Sequence, residues 1–254
     1  MRVCVLQADN RPKLDFLLKT QKVNKLFCSI LKYDYAFVRI DDTKHLHPAT
    51  KKIYIVNEFL KNPFDVLVFL DSDAWIQNGF WLNVVIHNLI KSNKQGCFSR
   101  DPYLKKNTFI NSGSFIIKNN EYTKQMYTTL VRNLIDDTSH HNKPFFDQYY
   151  ISNYVFNNKK DFVIFVPDIL NTPAGKVLRH NWYKDEKMHY DLDKLLYTLF
   201  EIMKQKFVGN IKFNETKYYD NKVFPNKLEN GYEYKALKVL KHKKKQLNTL
   251  HINK

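Results

Sequence analysis

Two aspartates one residue apart close an unbroken apolar run, Val66, Leu67, Val68, Phe69 and Leu70 leading directly into Asp71-Ser72-Asp73. Carboxylates beside a buried strand must be hydrated, paired or bound to a cation to escape a large desolvation cost. In an extended chain, residues two apart point to one side, so both carboxylates can face a single divalent ion. Hard oxygen donors suit Mg²⁺ or Mn²⁺, which keep positions open for water or phosphate oxygens. Aspartate also serves turns and helix caps, and Asp73 stands ahead of a helical pattern over 79–91. The apolar strand before the pair favours a binding site, because ligands of open α/β sheets bind at the carboxyl ends of strands.

The elements that position this pair alternate between strand and helix patterns, the signature of an α/β fold with a mostly parallel central sheet. A first strand covers 3–6, and a helix over 12–31 shows its period in Leu14, Leu17, Leu18, Leu26 and Ile30. A second strand spans 35–40, and a helix over 49–60 leads into the Asp-x-Asp strand. Beyond the helix after Asp73, a strand is expected near 95–98. Gly113 then separates polar residues from a further apolar strand, where a tight turn or a close ligand needs it. Helices over 121–134 and 146–156 and a strand over 162–166 follow. From about 191 the pattern becomes an amphipathic helix, a Tyr/Lys/Asn-rich stretch, and a segment over 234–250 with a basic face. The expected organisation is a main α/β domain over 1–190 and a helical, basic extension over 191–254.

The 254 residues, 44% hydrophobic and 15% aromatic, suffice for one full core. No run approaches a membrane span, and the first residues read as a strand instead of a signal peptide, so a soluble, cytoplasmic protein is expected. Cys4, Cys28 and Cys97 are odd in number and lack a Cys-x-x-Cys pair, which argues against disulfides or a zinc site. The net charge of +16 favours anionic partners. Much of it lies in the lysine-rich tail, for which peripheral contact with an anionic membrane surface is one role. Zinc-finger, Arg-rich and basic-zipper signatures are lacking, so no nucleic acid is expected.

Taken together, Leu70-Asp71-Ser72-Asp73-Ala74, Asn111-Ser112-Gly113, Asp147-Gln148 and a late His180 resemble, in order and rough spacing, the GT-A-fold nucleotide-sugar glycosyltransferases. The likeness is to the α-galactosyl/α-xylosyl/α-mannosyl transferase group. It implies a Rossmann-like GT-A domain, a nucleotide-sugar donor, UDP-linked in preference to GDP-linked, a glycan or glycoconjugate acceptor, and Mn²⁺ in preference to Mg²⁺. By that likeness Asp71, Asp73 and His180 hold the metal, with Ser72 near the ribose; His189 and the His140-His141 pair compete for the third place. Lys184 and Lys187 both fit a lysine facing the diphosphate. Asn111, Ser112 and Gly113 match a turn lining the sugar pocket, Asn111 bonding sugar hydroxyls and Gly113 allowing close packing beneath them. Asp147 and Gln148 match a pair beneath the reacting sugar. Lys51 aligns with a lysine near the donor, although Lys52 is adjacent. Gln7, Ala8, Asp9 and Arg11 fall where the base and ribose are held. Retention of anomeric configuration is favoured over inversion, and a viral or bacterial glycan-building system suits the composition.

Two other functions compete. A haloacid-dehalogenase-type phosphatase would use Asp71 as nucleophile, but it wants a small hydroxyl residue where Trp75 stands. A non-enzymatic basic module binding nucleic acid or membrane accounts for the charge and leaves the strand-end aspartates unexplained.

Overall fold

The computed structural model describes residues 1–40, 46–103, 109–182 and 185–206. Strand β1 (Val3–Asp9) leads through helix α1 (Asp15–Leu31) to β2 (Asp34–Arg39), and α2 (Pro48–Phe59) delivers the chain to β3 (Val66–Leu70). A three-residue β4 (Ala74–Ile76) precedes α3 (Gly79–Lys91), β5 (Gly96–Arg100) and β6 (Ile110–Lys118). Helices α4 (Glu121–Asp136) and α5 (Phe146–Asn157), strand β7 (Phe162–Phe165), the one-turn α6 (Pro167–Leu170), β8 (Leu178–His180) and α7 (Glu186–Lys206) complete the order.

The principal sheet runs β2-β1-β3-β6-β5-β7. β1 pairs in parallel with β2 and β3, and β5 with β7, whereas β6 runs antiparallel between β3 and β5. Every residue of β1 and β3 is buried, because helices cover both faces of the sheet, and these strands therefore read as continuous apolar runs. One core cluster joins α1, α3 and α7 to one face through residues such as Leu17, Phe27, Leu82 and Leu192. The other joins α2, α4 and α5 to the opposite face through Ile53, Phe69, Phe115 and Tyr127.

Local sequence accounts for several ends. Lys32 takes a left-handed φ of 58° and stops α1, while Asn120 and Thr123 form a capping box that starts α4. Helix α7 begins earlier than the pattern from 191 suggested, and buries Met188, Leu192, Leu196, Leu199 and Met203. Its spacing of three and four residues lays that stripe along α1. The Tyr/Lys/Asn-rich stretch and the basic-faced segment over 234–250 lie outside the described residues. The three cysteines are free and buried. Among the described residues, no helix is long and apolar enough to cross a membrane.

Candidate active site

Strand β3 ends at Leu70, and the Ala74 amide then donates to the Asp71 carbonyl at 3.0 Å, closing a reverse turn. Asp71 and Asp73 therefore stand on a turn, not on the extended segment that alternation suggests. The cap of α3 is Asn78, whose side chain accepts from the Trp81 amide, so Asp73 has no capping task. Beneath the turn, Gln7 is 0% exposed. Its Nε2 donates to the carbonyls of Asp71 at 3.0 Å and Ala74 at 3.3 Å, while its Oε1 accepts from Asn24 at 2.9 Å and the Tyr35 hydroxyl at 2.8 Å. The expectation that Gln7 contacts a nucleotide is corrected: its polar atoms face the interior and brace the aspartate turn.

β8 returns antiparallel to β4 and sets His180 opposite Ala74. His180 Nε2 lies 3.1 Å from Asp73 Oδ1 and 3.9 Å from Asp71 Oδ2. One candidate ligand atom from each of the three residues lies within 4.8 Å of the others. On the far side of the ring, Nδ1 is 3.1 Å from Asn111 Oδ1, which already accepts the Gly113 amide at 2.9 Å. An oxygen accepts there, so Nδ1 carries a proton and Nε2 is turned toward the aspartates. Burial opposes charge on His180, but the Asp73 and Asp71 carboxylates outweigh it and raise its pKa. Two carboxylates and an oriented imidazole form a donor set that fits Mn²⁺ and is compatible with Mg²⁺. The competing histidines are engaged elsewhere: His189 faces Asp15 at 3.4 Å, His140 stacks on Tyr149, and His141 contacts the Leu134 carbonyl.

Gly113 lies inside β6, not in a turn. A β-carbon on it would come within 2.0 Å of the His180 ring. The glycine is thus required by the histidine above it, where sequence alone suggested room for a sugar. Asn111 likewise orients His180, with its Nδ2 directed at Asp101 Oδ2 at 3.4 Å. Asn171, at the end of α6, donates to the Asn111 carbonyl at 2.9 Å and so ties the β8 return to β6.

On α2, Lys52 and not Lys51 enters the site. Lys52 Nζ reaches Asp71 Oδ1 at 2.8 Å and Asp147 Oδ2 at 3.2 Å, whereas Lys51 lines neither neighbouring cavity. Adjacent helical residues diverge by about 100°, so only one of the two lysines can face the sheet end. Burial disfavours the Lys52 charge, yet Asp147 and Asp71 hold its pKa above the ordinary lysine value. Burial pushes Asp147 up to about 6 against the pull of Lys52, a cation it shares with Asp71. A hydrogen bond from Ser112 also favours the Asp147 carboxylate.

Two cavities meet at Lys52 and Asp71. The first, of about 330 Å³, is lined by Asp101, Tyr103, Asn111, Ser112, Gly113, Phe145, Phe146, Asp147, Gln148 and His180 as well. The second, of about 340 Å³, is walled by Ala8, Asp9, Arg11, His47 and Ser72. Arg11 grips Asp9 there through Nη2 at 3.0 Å and Nε at 3.1 Å. Asp101 escaped the sequence reading, although its Oδ2 accepts from Gln148 Nε2 at 2.9 Å. A lone acid at a strand end carries no spacing signal. Phe145 and Phe146, with φ of 79° and 34°, escaped as well; such left-handed, non-glycine backbone is costly and concentrates at functional sites. Lys187 is exposed on the first turn of α7 and lines neither cavity, and Lys184 lies outside the described residues.

The family model described as nucleotide-diphospho-sugar transferase matches residues 19–227. The chain belongs to this family. It is accordingly a glycosyltransferase, and its fold, an α/β domain with a mostly parallel sheet, is the GT-A fold. A solved structure described as a glycosyltransferase involved in the glycosylation of the major capsid of PBCV-1 superposes with a TM-score of 0.60 at 14% identity, covering 77% of this chain and 98% of that one. The glycosyltransferase GlyE of Streptococcus pneumoniae TIGR4 superposes with a TM-score of 0.52 at 13% identity, covering 79% of this chain and 63% of that chain. At such identities these neighbours speak to fold alone. No curated protein gives a significant match. Membership of the transferase family removes the phosphatase and basic-module alternatives as readings of the domain.

Proposed function

We propose that the chain moves a sugar from a nucleoside-diphosphate donor, UDP-linked in preference to GDP-linked, to a hydroxyl of a glycan. Asp71, Asp73 and His180 would hold a Mn²⁺ ion against the donor diphosphate. The observation that carries this reading is the convergence of those three residues within 4.8 Å where two cavities meet. The bound ion supplies positive charge against the negative charge that develops on the departing diphosphate.

The chain's own residues divide the remaining work. Asp9, Arg11 and Ser72 border the cavity assigned to the nucleoside, and Asp147 and Gln148 border the one assigned to the sugar. A retaining course is the better fit, because Asp147 is 4% exposed and is held by Lys52. An inverting base must reach the incoming hydroxyl, and a carboxylate anchored in this way is poorly placed to do so. In the retaining course the acceptor oxygen bonds to the anomeric carbon as the bond from that carbon to the phosphate oxygen breaks. The electron pair leaves with the nucleoside diphosphate, and the hydroxyl proton passes to the departing phosphate oxygen.

Calorimetry of the full chain against UDP- and GDP-sugars, with and without Mn²⁺, tests the proposal. Metal-dependent binding that prefers UDP donors is expected. Metal-independent binding, or none to any nucleotide sugar, would contradict it. Proton NMR of the product's anomeric signal then separates retention from inversion.

A further inference from the structure

The donor reading above accounts for Asp71, Asp147 and their neighbours but gives the receiving molecule no seat; the inference here rests on that reading. An aromatic series leads outward from His180. The Trp182 indole stands edge-on to the His180 ring, with centroids 5.4 Å apart at 86°. Tyr103 stands at 66° to the indole at 5.5 Å, and the indole Nε1 donates to the Tyr103 hydroxyl at 3.2 Å.

Burial does not explain this arrangement, since Tyr103 is 63% exposed. It is nonetheless fixed at both ends. Its backbone amide donates to Asp101 Oδ1 at 2.9 Å, and the other oxygen of that carboxylate takes the Gln148 amide. Ordering an exposed tyrosine sacrifices side-chain entropy without the usual return in buried area. A rigid, wet aromatic at the rim of a polar cavity is a recognition surface, giving contact area at low further entropy loss. Phe145, 41% exposed with its backbone in the left-handed region, lines the same cavity and adds to the aromatic wall.

The chemistry selects the occupant. Flat rings edged by the Tyr103 phenol and the Asp101 carboxylate match a pyranose, which offers a face of C–H groups and a rim of hydroxyls. Asp101 at the rim of the same cavity favours a hydroxyl-bearing acceptor over a phosphorylated or acidic one. We propose that Tyr103 and Trp182, two rings inclined at 66°, form a corner that is the acceptor subsite, and that a pyranose residue of a glycan lays its C–H face on one ring and its edge against the other, with its hydroxyls toward Asp101. A hydroxyl of that sugar then approaches the anomeric carbon from the His180 side of the cavity.

Saturation-transfer NMR tests this on the full chain with UDP and diamagnetic Mg²⁺, using methyl pyranosides of glucose, galactose, mannose and xylose as probes. Ring C–H protons of at least one glycoside are expected to be saturated by the parent. The effect should fall about fivefold or more in Tyr103→Ala and Trp182→Ala, as for truncation of an aromatic anchor, and recover in part in Trp182→Phe. UDP affinity by calorimetry should stay within about threefold in each variant, a range below 1 kcal/mol. Glycoside contact that survives both alanine variants overturns the proposal, as does a parent that binds UDP and no glycoside. Loss of UDP affinity in Trp182→Ala also overturns it, by assigning the indole to the donor side. A parent that binds neither UDP nor glycoside overturns the donor reading first.

Discussion

The two cavities that meet at Asp71 are nearly equal in volume, about 330 and 340 Å³, yet they are assembled in different ways. The one walled by Asp9, Arg11 and Ser72 lies at the carboxyl ends of β1, β2 and β3, three parallel strands joined by helical crossovers. Parallel topology alone brings those ends together. The other collects Asp101, Asn111, Asp147 and His180 from the antiparallel β5–β6 pair, the start of α5 and the β8 return. It depends on contacts between residues far apart in the chain, and on the fit of side chains against one another. Substitutions in the first region should weaken binding by degrees, and those in the second should dislodge neighbouring groups.

The largest effect is expected at the shared boundary. Asp71→Asn removes one proposed metal ligand and one partner of Lys52, and transfer should fall by about 10³-fold or more. A steady-state assay at saturating Mn²⁺ checks this. Lys52→Met leaves two carboxylates without their buried cation and should destabilise the fold by about 3–5 kcal/mol in urea titrations. Equal loss in Lys51→Met would erase the distinction between the two lysines.

Gly113→Ala separates packing from ligand contact. Its β-carbon would collide with the His180 ring, so metal affinity should drop about 10–100-fold while circular dichroism is unchanged. If affinity holds, the histidine is not positioned by that glycine.

Asp147 gives a pH signature. Its pKa of about 6 exceeds that of an unfolded aspartate, so the folded state favours its protonated form. That contribution to stability is fully present below about pH 4 and is lost as pH rises through about 6. Relative to the parent, Asp147→Asn in the metal-free chain should therefore gain stability between pH 4 and 6, by at most about 1.4 kcal/mol per pH unit. Melts across that window check the slope. The smallest effect belongs to Lys51→Ala, within about 0.5 kcal/mol in stability and with little change in turnover.

The same contrast explains what could be read from the chain. β3 and its aspartates were legible because a strand buried on both faces leaves an apolar run, and a carboxylate pair at its end has few structural uses. The helices before and after β3 were legible through their period. Asp71, Asp73 and His180 could be named by likeness, yet the turn that aims the aspartates, the glycine that admits the imidazole and the glutamine beneath them could not. The glycine and the glutamine depend on partners distant in sequence, Gly113 on His180 and Gln7 on Asp71, and Asn111 likewise depends on His180. Short β4 and β8 carry no periodic signal, since three residues cannot show one. Lys51 and Lys52 were indistinguishable without knowing which side of α2 faces the sheet.

The central claim is that Asp71, Asp73 and His180 hold one divalent ion against a nucleoside diphosphate. Pulsed electron paramagnetic resonance of the full chain with one equivalent of Mn²⁺ and UDP tests it most directly. The account predicts a ¹⁴N coupling from one imidazole together with ³¹P couplings from the diphosphate, the ¹⁴N coupling vanishing in His180→Ala. Bound Mn²⁺ that shows no ³¹P coupling, or a ¹⁴N coupling that persists in His180→Ala, would contradict it.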